Sequence, residues 1–420
     1  MPTDPQVIAD PAFWHQPLAD RMRGFAELRE QGPFLPVRVT DTVFGVDLEF
    51  HAVTRMAELL EISRRPQDFC SGQGSTSIAD LPTEAAEFFG SFIVMDDPRH
   101  TRLRNIVSRS FTPRALQGVL DSVERICTEV IDGFAGDGEA DLVEVLSQPF
   151  PLLVICDMMG IPRSEFDTVL KATNVILGAG DPDMVGTDAT NIMEALLGAG
   201  MTLAGLMNEM AEHRRKDPTD DLTSALVHSD IGEDSLSPEE LAAFFILLAV
   251  AGNDTTRTAI SHGVNLLAQN PDQKAIWQAD LDGVTRTAVE EIVRVAAPVV
   301  FMRRTATRDV EISGTKLSEG DRVVLFYGAA NRDPRVFDDP ESFLVRRQPN
   351  DHVGFGGPGP HFCLGAHLAR RELAVAFRQL LTRLPDLELA GDPVPLQSMG
   401  IPLVGGMKHL PVRFTPAPAA

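Results

Sequence analysis

Residues 355–365 read Phe-Gly-Gly-Pro-Gly-Pro-His-Phe-Cys-Leu-Gly. Glycine and proline impose an unusual backbone path, and Cys363 stands just before a helical pattern. A helix N-terminus and nearby backbone N–H groups stabilise a thiolate. Such a thiolate suits a soft metal or a haem iron. For an arbitrary cysteine, burial as a small hydrophobe is the plainer reading. A second cluster, Ala-Gly-Asn-Asp-Thr-Thr at 251–256, interrupts the apolar run 241–252. Phe244, Leu248, Ala251 and Thr255 share one helical face by steps of three and four. Polar groups that deep need partners or water, and Gly252 and Thr255 invite local distortion. Glu291 and Arg294 stand three apart, and His100 and Arg104 four apart; on exposed helices such pairs are common and weak.

These residues need helices to hold them. Ser237, Pro238 and Glu240 form a capping-box signature that opens a helix running to about 268. Further helices are expected over 51–62, 116–134, 191–215 and 273–294. Segments 34–39, 42–47 and 308–328 have strand-like composition with turns. Residues 71–80 read as a loop. No repeat and no clean linker divides the chain, so one mostly helical domain over 1–420 with a minor β component is expected.

Composition narrows the partners. With 37 basic and 60 acidic residues the formal charge is −23, a field that repels nucleic acid. Cys70, Cys127, Cys156 and Cys363 form no CxxC pair, which argues against a zinc ribbon or a disulfide scaffold. The N-terminus lacks a signal-peptide pattern, and the strongest apolar run is too short to span a bilayer. A cytoplasmic location without an integral membrane segment is expected.

Together the cysteine loop, the 251–256 cluster, the Glu291–Arg294 pair and the His100–Arg104 pair resemble the cytochrome P-450 superfamily, the haem-thiolate monooxygenases. The motifs stand in the family's order across nearly the whole chain. The resemblance implies a mainly α, triangular-prism fold with a minor β subdomain, enclosing haem b (iron protoporphyrin IX), with O2 as cosubstrate. It implies Cys363 as the axial thiolate, flanked by Gly359, Gly365 and the aromatic Phe355, although the Phe–Cys spacing is one residue longer than the commonest form. Thr255 matches the threonine that holds the oxygen-activating water network, and Asp254 the acid that relays protons. His100, Arg104, Arg304 and His361 match propionate contacts, with Arg303 able to trade roles with Arg304. Glu291 and Arg294 match a structural core closed by a later arginine, Arg332 first and Arg335 as the alternative.

Phe92, Ile93, Val94, Leu177, Leu247, Leu248, Ala251, Val299, Val300 and Ile401 are expected to line an apolar pocket with few polar anchors. The segments around 95–113, 155–162 and 174–183 resemble the methyl-branched-lipid ω-hydroxylases. Hydroxylation at the end of a branched fatty acyl or isoprenoid chain is the favoured expectation, a sterol side chain the nearest alternative. No nucleotide-binding signature and no iron–sulfur cysteine set is present, so the resemblance implies a ferredoxin and an NAD(P)H-dependent ferredoxin reductase. Arg102, Arg109, Arg114, Arg370 and Arg371 are candidate contacts for that partner. A haem sensor or carrier without turnover, and a haem-free helical interaction protein, are the readings from other classes.

Overall fold

The computed structural model describes residues 3–40, 45–111, 117–178, 181, 189–228 and 235–419. The longer helices are α1 (Leu18–Gln31), α2 (Met56–Ser63), α3 (Thr83–Gly90), α4 (Arg99–Ser108), α5 (Gln117–Asp132) and α6 (Pro149–Met159). They continue with α7 (Phe166–Leu177), α8 (Ala189–Lys216), α9 (Pro238–Gln269), α10 (Pro271–Ala279), α11 (Leu281–Ala296) and α12 (Ala366–Arg383).

Helix α9 is the axis of the helical side. Its start is fixed as the residue types require: the Ser237 hydroxyl accepts from the Glu240 N–H at 3.2 Å, and the Glu240 carboxylate accepts from the Ser237 N–H at 3.0 Å. The helix is then continuous to Gln269, roughly 48 Å at 1.5 Å per residue. It stays α-helical through Gly252, and the expected distortion reduces to one back-bond, from the Thr255 hydroxyl to the Ala251 carbonyl at 2.8 Å. Around it pack α3, α6, α8, α11 and α12, whose apolar faces form the largest core cluster.

The β side is small. Strands β1 (Leu35–Thr40), β2 (Asp47–Val53), β3 (Phe69–Cys70), β4 (Glu139–Asp141), β5 (Phe301–Ala306), β6 (Val310–Ile312), β7 (Thr315–Leu317) and β8 (Arg322–Phe326) precede α12. The five-stranded sheet has the order β1-β2-β8-β5-β3. Only β2 and β8 pair in parallel within it. The expectation of a mainly helical fold with a minor sheet is met.

Local expectations shift in three places. Residues 51–53 finish β2 instead of starting a helix, because pairing to β1 on one edge and β8 on the other outweighs their local pattern. The second strand begins at Asp47, not at residue 42, and 41–44 lie outside the described residues. The expected helix 273–294 is two helices. Asp280 ends the first and caps the second, its carboxylate accepting from the Gly283 N–H at 2.9 Å.

Gly263 of α9 lies where α11 and α12 pack tightly against it. A Cβ there would collide with the Phe377 ring of α12 and fall 2.9 Å from Ile292 Cδ1 of α11. Gly263→Ala is therefore expected to destabilise the protein by about 1–3 kcal/mol despite alanine's better helix propensity, measurable as a lower urea midpoint at unchanged m-value.

Candidate active site

A cavity of about 230 Å³ lies between α9, the loop after β8 and the segment that enters α12. Its α9 wall is formed by Phe244, Leu247, Leu248, Ala251, Gly252, Thr255 and Thr256. Ala251 is exposed although it stands at mid-helix, because it faces this space. The opposite wall carries Phe355, Gly356, His361, Cys363, Leu364 and Gly365.

The cysteine loop closes through backbone bonds. The Cys363 N–H donates to the Phe355 carbonyl at 2.9 Å, and the Gly356 N–H to that of Val353 at 2.9 Å. Gly356 has φ +92°, a conformation glycine adopts without a Cβ clash. The sulfur accepts from the Gly365 N–H. Burial pushes the Cys363 thiol up, opposed by that bond and by the charges of Arg104 and Arg370. Gly359 stands elsewhere: it is outside the cavity wall, and a Cβ there would collide with the Ser63 carbonyl of α2. Its lack of a side chain lets the loop lie against α2 and does not serve the cavity directly.

One end of the cavity is rich in donors. Arg104, Arg304 and His361 line it, and His100 packs behind His361 with the rings tilted by 45° and their centroids 4.3 Å apart. His361 Nε2 meets the Ser71 hydroxyl at 3.1 Å. His361 Nδ1 and His100 Nε2 are buried without a hydrogen-bond partner among the described residues. Burial, then the charges of Arg304, His100 and Arg104, push His361 down to about 2, so the ring is neutral. Arg304 donates to the Arg303 carbonyl at 2.7 Å, and Arg104 donates to the Phe362 carbonyl. Neither guanidinium has a carboxylate partner among the described residues. Arg303 cannot trade places with Arg304: it is held by the Ile78 carbonyl at 2.8 Å and by Asp80 at 2.5 Å.

Behind the α9 wall lies Asp254. It is 1% exposed and absent from the cavity wall, while Thr255 lines it. Burial pushes its carboxyl up to about 8, against the charge of Arg257. Oδ1 receives only a 3.5 Å bond from Asn253, and Oδ2 has no partner among the described residues. Glu372 of α12, which sequence reasoning missed, also lines the cavity. Burial pushes it up to about 8, against a hydrogen bond with Thr256. Its signal was a carboxylate one helical face from Cys363, in a run of arginines that reads as solvent-facing.

The expected pocket residues divide. Phe92, Ile93, Leu247, Leu248, Ala251 and Val299 line the cavity; Val94, Leu177, Val300 and Ile401 do not. Val299 and Val300 are extended, so they face opposite ways, and Val300 and Ile401 pack on the sheet-side cluster. Val94 is buried beneath Gly90, and Leu177 ends α7. Phe111, Ile155, Met302 and Tyr327, among others, were missed and also line the wall.

The Glu291–Arg294 pair is fully buried, with bonds at 2.8 Å from Nε and Nη2. Its third member is Arg347, neither Arg332 nor Arg335. Arg347 Nε lies 3.0 and 3.1 Å from the two Glu291 oxygens. Arg332 instead donates to the Val295 carbonyl at 2.9 Å and meets Glu341 at 3.4 Å, while Arg335 pairs with Asp333 and Glu30.

Of the other cysteines, Cys127 and Cys156 are buried and burial pushes both thiols up to about 12, which leaves them unreactive. The arginines proposed for a redox partner are engaged within the chain: Arg102 with Glu240 at 2.8 Å, Arg370 with Glu290 at 2.5 Å, Arg371 with Glu124 at 2.9 Å. Arg109 stands in the turn after α4, and Arg114 lies outside the described residues. No helix among the described residues is long and apolar enough to cross a membrane.

The family model described as Cytochrome P450 matches residues 73–399. The chain belongs to the cytochrome P450 family. A methyl-branched lipid omega-hydroxylase of Mycobacterium tuberculosis is 46% identical over 410 residues, covering 96% of this chain and 93% of that protein. A steroid C26-monooxygenase of Mycolicibacterium smegmatis is 38% identical over 397 residues, covering 93% and 90%. A solved Mycobacterium marinum cytochrome P450 in complex with pseudoionone superposes with TM-score 0.90 at 40% identity, covering 99% of each chain. The chain is a P450 monooxygenase, as its motifs led one to expect, and the family implies a haem-thiolate cofactor and use of O2. The residues fit such a group: a half-buried cysteine with an N–H to its sulfur on one wall, and two carboxylate-free guanidiniums with an orphaned imidazole nitrogen at one end.

Truncating Arg347 removes one of the two guanidiniums on the buried Glu291 carboxylate and leaves Arg294 as its cationic partner. Arg347→Leu is expected to cost about 1.5–3 kcal/mol, the worth of a hydrogen bond to a buried charge, read from urea unfolding. The cost should shrink in the Glu291→Gln background, where that charge is gone.

Proposed function

We propose that this P450 is one functional domain over 1–420 that binds haem b and hydroxylates the terminal or near-terminal carbon of a methyl-branched lipid or isoprenoid. The observation that carries the reading is the cavity itself, with Cys363 and Thr255 in facing walls and an apolar lining between them. The names of the relatives choose the substrate class: the one at 46% identity acts on methyl-branched lipids. The steroid C26-monooxygenase at 38% identity favours a sterol side chain as the second reading.

Bound haem would supply a reducible iron at which O2 is activated, and a Cys363 thiolate would favour O–O cleavage. Everything else falls to the chain. Cys363 holds the metal, with the Gly365 N–H stabilising its sulfur. Arg104, Arg304 and His361 hold the carboxylates, and His100 keeps the His361 ring in place. Phe92, Phe244, Leu247 and Val299 exclude water and hold an apolar chain end-on, so position is chosen by depth. Asp254 keeps a proton at neutral pH because burial disfavours its charge, and it delivers that proton beside Thr255. The Thr255 hydroxyl, already bonded to the Ala251 carbonyl, orients the receiving water. Electrons come from a ferredoxin served by an NAD(P)H-dependent reductase.

Titration of the holoenzyme with branched fatty acids, isoprenoids and sterols, followed by product analysis, tests the substrate class. A Soret shift and an ω-alcohol from branched lipids are expected; a shift with sterols alone would move the assignment to the second reading. Cys363→Ala should lose the thiolate signature of the ferrous–CO complex, and retention would sink the ligand assignment.

The proton role has a pH consequence. Asp254 is protonated below about 8 and loses its proton above it. Product formed per O2 consumed is expected to be flat at lower pH and to fall as pH rises through about 8. Asp254→Asn should lower the plateau and remove that inflection; an inflection unchanged in this variant would assign it to another group.

A further inference from the structure

Arg370 has a place that the proposed cycle does not use. Its guanidinium carbon lies 4.3 Å from the centroid of the Phe355 ring, well within cation–π range. The Phe355 carbonyl accepts from the Cys363 N–H, so the ring and the thiol belong to one loop closure. The guanidinium is clamped by Glu290, with Nε at 2.5 Å and Nη2 at 3.0 Å from its two oxygens. Glu290 is fixed from the other side by His352 Nε2 at 2.9 Å. His352 Nδ1 accepts from the Gly354 N–H at 3.1 Å, which leaves Nε2 as the hydrogen-bearing nitrogen. Burial opposes the Glu290 charge, yet the bonds from His352 and Arg370 outweigh it and hold the carboxyl down at about 2. Few surface ion pairs are fixed at so many points. Most contribute little and wander.

We propose that Arg370 is a positioning residue for the Cys363 thiolate. Clamped on the Phe355 face by Glu290 and His352, it holds a positive charge beside the cysteine loop and weakens donation from sulfur to iron. The cation then favours the added electron, so the ferrous state gains relative to the ferric. This inference rests on Cys363 being the haem ligand.

The test is the iron(III)/iron(II) potential of the holoenzyme, with the ferrous–CO spectrum recorded for every variant. Arg370→Met is expected to shift the equilibrium toward ferric by roughly threefold, about 28 mV for a one-electron couple. Arg370→Lys keeps the charge but loses the flat fork that Glu290 grips, and is expected to shift it by less in the same direction. In a Phe355→Leu background, where the guanidinium loses its seat on the ring but keeps its Glu290 clamp, the Arg370→Met shift should shrink. No shift in Arg370→Met, a wild-type potential in Arg370→Lys, or an undiminished shift in the Phe355→Leu background would each overturn the proposal. Should Arg370→Met fail to fold, the lysine variant decides alone. A wild-type protein without the thiolate CO signature would overturn the Cys363 reading instead, which separates the two failures.

Discussion

The Glu291 carboxylate, fully buried on α11, is the constraint on which much of the site depends. A lone charge there would be prohibitively costly, so every element that neutralises it is drawn to one point. Arg294 does so from the same helix, and Arg347 from the irregular segment before the cysteine loop. Asn350 adds a bond at 3.1 Å, and the Leu344 N–H another at 2.9 Å. Arg294 extends the web to the carbonyls of Asn331, Pro340 and Ser342. The irregular chain over 331–354, which leads into the cysteine loop, thereby gains fixed anchors without regular secondary structure. Glu290, one residue earlier, holds His352 and Arg370 on the other face of α11. One helix therefore anchors the cysteine loop from two sides.

Helix α9 sets the facing wall by simple rotation. Adjacent helical residues differ by about 100°, so Thr255 and Asp254 occupy different environments. Thr255 meets the cavity, whereas Asp254 is enclosed and kept neutral near pH 7. The same rotation puts Thr256 toward α12, where it meets Glu372, the second carboxyl kept neutral by burial. Proton-holding groups thus sit beside an apolar cavity without adding negative charge to it.

What could be read in the sequence was local. The capping box at Ser237 and the shared face of Phe244, Leu248, Ala251 and Thr255 depend on residues within one or two turns, and both stand in the structure as their spacing implies. The cysteine loop carries its own glycines. What was not legible depends on distant chain. Arg332 was the first candidate to close the Glu291 network, but it lies 41 positions on, and only the fold determines that Arg347 reaches the carboxylate. Residues 51–53 look helical until two neighbouring strands claim them. Val299 and Val300 looked equivalent until the backbone proved extended, which sends them to different sheet clusters, of which only the Val299 side borders the cavity.

The electrostatics of the cavity run against those of the whole chain. The protein carries −23 formally, yet the described cavity end presents Arg104 and Arg304 without a carboxylate partner, and Glu372 on the cavity wall and Asp254 behind it are kept neutral near pH 7 by burial. Screening limits the outer field to about 8–10 Å at physiological salt. Inside, the lower dielectric lets the two guanidiniums dominate. A cofactor with paired carboxylates is therefore oriented by one end of the cavity, while the remaining wall offers an apolar substrate no competing anchor. The orientation of the cofactor and the reach of the substrate are thus set by different parts of one cavity that meet at Phe92, whose ring lies 5.9 Å from the Arg104 guanidinium and 6.0 Å from the His100 ring; a change at Phe92 disturbs both, whereas Leu247 belongs to the apolar α9 wall.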